Sequence, residues 1–288
     1  MHAFSVHSDE NRLLSDLDDL DGGGADARQA TRSDRRCTGQ GVLGRDHASS
    51  GAAGFLLLAP ELHHAIPALP AAPVPLAVGA VVSAGFALLP DIDEPGSTVS
   101  RKLGALSRGV SKATNELAGG HRQATHCLLF AALVYVLVRL AAVHPLAAAI
   151  VIGCAFLLVL RMLLPAHVQR AGVVTPLVLA LAGSAAWWAF TDGAPSWLAL
   201  AGAGGVVLHM IGDSITVEGV PWLWVPFVPP LQRLRVAVPL VGHTGSARES
   251  FVGTLLSLAV GYCLLSAVAI QLVHAHFPVV QVPSLPVI

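Results

Sequence analysis

The residues best suited to chemistry in this sequence are histidines and aspartates, grouped in short polar motifs beside long apolar stretches. The stretch LLPDIDEPGS places Asp91 and Asp93 one residue apart, directly after an uncharged run. The stretch GGHRQATHC supplies His121, Arg122 and His126. Imidazole and carboxylate groups without thiolates are the ligand set of zinc, manganese or iron. These motifs therefore point to a divalent metal site.

A third motif, HMIGD, places His209 and Asp213 four residues apart. On a helix this spacing puts the two side chains about 40° apart on one face, where both can bind one metal ion. Ionisable groups at the edge of a membrane helix are costly and usually serve a site. Taken singly, the other motifs have a plainer interpretation, in which the aspartates are solvated loop carboxylates and the histidines are hydrogen-bonding groups at the interface.

The local conformation around these residues can also be predicted. Pro90 and Pro95 should stop the helix on either side of the two aspartates. In the extended segment that we expect there, side chains two residues apart point the same way, so both carboxylates would face one point. We expect Thr125 to cap the helix that holds His126 in its first turn.

The elements that carry these motifs are apolar. The 288 residues are 54% hydrophobic and 12% charged, whereas soluble domains carry roughly 25% charged residues. We predict an all-α, multi-pass transmembrane helical bundle, residues 42–288, after a disordered polar N-terminal tail, residues 1–41. It has about seven hydrophobic segments, six to seven of them spanning, at 48–62, 74–90, 125–142, 146–164, 172–190, 196–213 and 251–272.

Lysine and arginine predict the orientation of this bundle. They occur in the alternate connections 91–124, 161–171 and 214–250, and none occurs in the connections 63–73, 143–145 and 191–195. The positive-inside rule then puts the N-terminus in the cytoplasm and the C-terminus outside. This orientation gathers the candidate ligands on the cytoplasmic side: His47, Asp91, Asp93, His121, His126, His209 and Asp213.

The motifs in this order resemble a known family. DHASSG, LLPDIDEPGSTVSRKLG, GHRQATH, HMIGDSITVEGVPWLW and TGSARES are similar to the membrane-bound metal-dependent hydrolases typified by the bacterial inner-membrane proteins YdjM and YbcI. The resemblance implies a multi-pass inner-membrane hydrolase, distantly similar to zinc-dependent phospholipase C and P1 nuclease. It implies zinc, or alternatively manganese, bound by the seven residues above, and it adds Glu249 as an eighth candidate.

The resulting hypothesis is hydrolysis of a phosphoester bond, in a lipid or lipid-linked substrate reached from the cytoplasmic face. Seven ligands exceed the need of one tetrahedral zinc, so a two-metal site with a bridging aspartate is also considered. Asp91 or Asp93 would act as the base, and Arg122 would neutralise developing charge. The alternatives are an ion or metal transporter and a non-catalytic structural membrane protein.

The expected partner of the chain is membrane lipid. The net charge of −1 and the lack of a basic nucleic-acid-binding motif exclude nucleic acid as the default partner. The sequence names no protein partner.

Overall fold

The computed structural model describes residues 44–102, 105–163, 174–190, 195–223, 228–243 and 246–276. The predicted disordered tail, residues 1–41, lies outside them. The predicted all-α fold is confirmed, since the described residues contain helices and no β-strand. The helices are α1 (44–62), α2 (Pro73–Phe86), α3 (Thr98–Lys102), α4 (Ala105–Ala118), α5 (Leu128–Ala141), α6 (Pro145–Leu163), α7 (Val174–Phe190), α8 (Leu198–Ser214), α9 (Pro229–Arg233) and α10 (Ala247–His276).

Helix α8 is the centre of the bundle. It packs against α2 and α5, while α6 packs against α2 and α7. Small residues permit this close approach: a methyl group on Gly205 of α8 would overlap the backbone carbonyl oxygen of Ser83 in α2. Gly51 of α1 lies against the same turn, and its own carbonyl accepts a 2.8 Å hydrogen bond from the Ser83 hydroxyl. Helices α1, α2 and α8 therefore meet at almost backbone-to-backbone distance, as small residues allow in membrane bundles.

Several helices have the length and apolar character of membrane helices. The stretches Pro73–Asp93, Pro145–Leu163 and Ala247–Ser266 are long and apolar enough to cross a membrane, and Leu128–Ala141, Val174–Ala185 and Leu198–Ser214 are shorter apolar helices. Large apolar side chains cover their outer faces; Leu140, Ile150 and Leu258 are more than half exposed. In a soluble protein such surfaces would be an aggregation hazard, whereas lipid solvates them.

Candidate metal centre

Asp91 and Asp93 lie in a single turn of 3-10 helix, Pro90–Asp93, that continues the line of α2. The predicted extended conformation is therefore wrong, because Pro90 occupies the first turn of this short helix, where its ring and missing N–H are tolerated. In a 3-10 helix residues two apart do not share a face. The two carboxylates are accordingly placed differently: Asp93 is fully buried, whereas the side chain of Asp91 is 18% exposed.

The segment 119–126 is a tight turn that presents both of its histidines to Asp93. Gly119 and Gly120 have φ of 82° and 110°, and Arg122 has a φ of 58°, which is uncommon for a residue with a side chain. Thr125 does not cap a helix as predicted: it lies in the 3-10 turn Ala124–His126, and α5 begins at Leu128 without a side-chain cap. Its hydroxyl donates to Asp93 instead.

The carboxylate of Asp93 contacts several groups of this turn. One of its oxygens, Oδ1, lies 2.7 Å from Nδ1 of His121. The other, Oδ2, accepts the Arg122 backbone N–H at 3.2 Å and the Thr125 hydroxyl, and lies 3.4 Å from Nδ1 of His126. A buried carboxylate that orients two imidazoles through their Nδ1 atoms leaves both Nε2 atoms to act as ligands, an arrangement common in the outer shell of metal sites.

His209 and Asp213 lie one turn apart on the inner face of α8, as the four-residue spacing predicts. Both are buried, with 0% and 1% of their surface exposed. His209 Nε2 is 3.3 Å from Asp213 Oδ2, and His209 Nδ1 is 2.7 Å from the carbonyl oxygen of Ala87 at the end of α2. Because a carbonyl only accepts, Nδ1 of His209 carries a proton, and its Nε2 is the atom that faces Asp213 and His126.

The same reasoning places a proton on Nδ1 of His126. The Thr125 hydroxyl uses its proton on Asp93, so it accepts from Nδ1 of His126 at 3.0 Å. His126 Nε2 lies 3.1 Å from His209 Nε2, a distance at which the two nitrogens share one proton or one cation. Asp213 Oδ2 lies 3.4 Å from His126 Nε2 and has no hydrogen-bond donor among the described residues. These three atoms thus converge on one buried point, where a shared proton or a metal cation is needed to hold them together.

The separations of these atoms fit a metal ion. Zinc with bonds of 2.0–2.2 Å in a tetrahedron requires ligand atoms about 3.3–3.6 Å apart. The three atoms above are separated by 3.1–3.4 Å, and Asp91 Oδ1 lies 3.7 Å from His209 Nε2 and 3.9 Å from His126 Nε2. His126, His209 and Asp213 therefore provide three donors of suitable chemistry around one point, and Asp91 lies within reach of the two histidine nitrogens.

Asp91 also connects this set to the two outer histidines. It forms one potential metal-binding group with His121 and His126, and a second with His47 and His209. The rings of His47 and His209 stack, with centroids 3.9 Å apart. The Nε2 atom of His47 is 3.6 Å from Asp213 Oδ1. Burial, and then the neighbouring His209, lower the pKa of His47 to about 4, so its imidazole is neutral and able to bind a metal.

Arg122 closes the centre on the side of the 214–250 connection. Its guanidinium is 2.7 Å from Asp213 Oδ1, 3.4 Å from the Thr216 hydroxyl and 3.6 Å from Glu218 Oε2. One oxygen of Asp213 therefore faces arginine while the other faces the two histidines. Thr216 and Glu218 were not predicted from the sequence, because nothing in their spacing distinguishes them from ordinary loop residues.

Glu249 lies apart from these groups, in the first turn of α10. Together with Asp46 of α1 it lines a small cavity that also borders His47. One Asp46 oxygen, Oδ2, is buried and has no hydrogen-bond partner among the described residues. Burial and then repulsion by Glu249 raise the pKa of Asp46 to about 7, against the lowering effect of Arg45. A role for Asp46 was not predicted either, because in the sequence it is only a charged residue next to His47.

Comparisons with known proteins agree with this membrane architecture. A sequence profile of the family described as YdjM inner membrane protein matches residues 42–275. Curated protein sequences and solved structures give no match. The matched range contains every residue of the centre described above.

Proposed function

From the premise that the chain belongs to the YdjM inner membrane protein family, we propose that it is a metal-dependent hydrolase of phosphoester bonds, acting on a lipid or lipid-linked substrate at the cytoplasmic face. The observation that carries the proposal is the convergence of His126 Nε2, His209 Nε2 and Asp213 Oδ2 within 3.4 Å of one another, on three fully buried residues. Zinc is the expected ion and manganese the alternative, since the donors are imidazole and carboxylate.

The residues around the ion would divide the work. A divalent metal bound here supplies a Lewis acid and a water of lowered pKa. Asp91 is the half-buried carboxylate that a substrate can reach, so we assign it both a metal-facing role and acceptance of a proton from water. Asp93 has both oxygens engaged by the 121–126 turn and acts as a positioning residue.

Arg122 has the charge that a phosphoryl group requires. Its guanidinium is buried and already bound to Asp213, which holds it rigidly beside the metal donors. A cation fixed in this way can stabilise charge that develops on the phosphoryl oxygens without reorganising. The same contact limits the freedom of Asp213, because its Oδ1 is neutralised while its Oδ2 remains available to the metal.

The proposal is tested first by metal content. We expect the detergent-purified protein to contain near-stoichiometric zinc or manganese by mass spectrometry, and His209→Gln and Asp213→Asn to lose it, because each removes a donor while keeping side-chain size. His64→Ala, at an exposed histidine in the connection after α1, should keep its metal. Chelator-sensitive hydrolysis of a phosphoester panel should follow the metal content.

Two outcomes would contradict parts of the proposal. If the wild type takes up no metal even after incubation with zinc and manganese, a proton holds the three acceptors together, and the structural-protein alternative replaces the enzyme. If metal is stoichiometric but no phosphoester is cleaved, the centre binds a metal and the hydrolase assignment is wrong.

A further inference from the structure

The segment 233–240, RLRVAVPL, is a strip in which every residue is exposed. Its backbone is held from inside: Val236 exchanges hydrogen bonds with Val220, and the N–H of Val238 donates to the Ser214 carbonyl at 2.7 Å. Four large apolar side chains on alternate positions are 44–68% exposed, namely Leu234, Val236, Val238 and Leu240. Side chains at alternate positions of an extended segment lie on one side, so the 233–240 strip presents a continuous apolar surface.

This strip lies at the level where the membrane helices end. The Ser214 carbonyl that holds Val238 belongs to the last residue of α8, and Ile215 accepts the N–H of Leu240 at 3.0 Å. Helix α10, whose first 20 residues form a candidate membrane span, begins at Ala247. The apolar surface therefore lies beside the end of the central helix α8, and α10 follows it closely in the chain.

The strip also carries two positive charges without acidic partners. Arg233 and Arg235 are exposed, and neither forms an ion pair with a carboxylate among the described residues. The Arg235 guanidinium donates to the backbone carbonyls of Glu218, Gly219 and Arg122, each at 3.4 Å. Exposed arginines in the same segment as exposed aliphatic side chains match a surface of anionic lipid headgroups over acyl chains.

Arg122 lies between this strip and the metal centre and contacts both. Arg235 binds the backbone carbonyl of Arg122, and the Arg122 side chain binds the metal-facing Asp213. A headgroup phosphate attracted to Arg235 therefore lies beside the turn that carries His121 and His126.

We propose that the 233–240 strip rests on the lipid surface and brings the phosphate of an anionic lipid headgroup to the metal centre. The contact with lipid stands on the exposed strip itself, whereas delivery to the centre rests on the proposed phosphoester hydrolysis. A protein partner or a second copy of the chain is the competing occupant.

Fluorescence quenching in nanodiscs tests the contact with lipid. Cysteine is introduced by Val238→Cys or Leu240→Cys in the full chain, with Cys37, Cys154 and Cys263 changed to serine and the buried Cys127 kept. We expect a fluorophore at either position to be quenched by lipids with a nitroxide near the headgroup and to be shielded from aqueous iodide. Lys112→Cys, on the exposed face of α4, should show the reverse.

Quenching by iodide and not by lipid at both strip positions would overturn the contact with lipid, and so would protection from both quenchers, which indicates a protein occupant. Neither result affects the metal-content test.

Delivery of the phosphate to the centre is tested by enzyme kinetics. Arg233→Gln should raise the KM for a bilayer phospholipid about fivefold and leave the KM for a soluble aryl phosphate unchanged, and Arg233→Lys should restore the wild-type KM. Equal effects on both substrates would overturn delivery. If the wild type hydrolyses neither substrate, the proposed hydrolase activity is refuted. The contact with lipid is not, because fluorescence quenching measures it independently.

Discussion

At the scale of single residues, Thr125 links the two halves of the metal centre. Its hydroxyl donates to Asp93 and accepts from His126, so it sets which nitrogen of that histidine faces the metal. We expect Thr125→Val, which has the same shape, to weaken metal affinity about 10–100-fold, the usual effect of losing an outer-shell partner. Competition with a chromogenic chelator measures this affinity.

The matched control for that prediction is Thr254→Val, because the Thr254 hydroxyl only donates to the Ser250 carbonyl within α10. Its metal affinity should equal that of the wild type. An unchanged affinity in Thr125→Val would mean that Asp93 alone orients His126.

Asp46 predicts a dependence of stability on pH. Burial and Glu249 raise its pKa from 3.8 to about 7, so the folded chain binds a proton that the unfolded chain releases. The stabilisation is present below pH 4 and is lost as the pH rises to about 7. Asp46→Asn cannot ionise, so we expect it to raise the melting temperature above that of the wild type at pH 8 and to change it little at pH 4.

This comparison is made by thermal unfolding in metal-free detergent buffer, so that metal binding does not contribute. A shift for Asp46→Asn that is the same at pH 4 and pH 8 would contradict the assignment.

At the scale of elements, the crossing of α2 and α8 depends on one glycine. A methyl group on Gly205 would overlap the Ser83 carbonyl, and Ala87, whose carbonyl orients His209, is a further neighbour. We expect Gly205→Ala to destabilise the fold by about 1–3 kcal/mol, as overpacking does, and to weaken metal binding by moving α8. Thermal unfolding and metal content measure the two effects.

The neighbouring Gly204 is the control, because nothing lies within 4 Å of a methyl group added there. Gly204→Ala should be neutral or slightly stabilising, since alanine favours a helix by up to about 1 kcal/mol. Equal destabilisation by the two substitutions would show that helix flexibility, and not the crossing, matters.

The elements also show what sequence can predict. The pair His209 and Asp213 was placed correctly because a helix fixes the relation of residues four apart. The turns were predicted wrongly: Asp91 and Asp93 form a 3-10 turn, and Thr125 caps nothing. The conformation of these two turns depends on contacts between distant parts of the chain, above all the hydrogen bonds that the buried Asp93 carboxylate accepts. Rules based on neighbouring residues cannot predict such contacts.

For the whole molecule, apolar composition is sufficient to predict a helical membrane protein, because lipid leaves the backbone few other ways to satisfy its hydrogen bonds. Composition does not predict which loops fold back over the helix ends. The contacts of Glu218 and Arg235 with the metal centre therefore emerged only from the structure. The orientation with the N-terminus inside stays a prediction from the charge distribution.

The donors of the centre are widely separated along the chain, and this has a consequence for biosynthesis. They run from His47 and Asp91 through His126 to Asp213, and the carbonyl that orients His209 belongs to Ala87 in the connection after α2. A nascent chain cannot assemble this set until α8 has left the ribosome and joined α2 in the membrane. Binding of the proposed metal would consequently be a late event, because a chain that stalls before residue 213 lacks part of the ligand set.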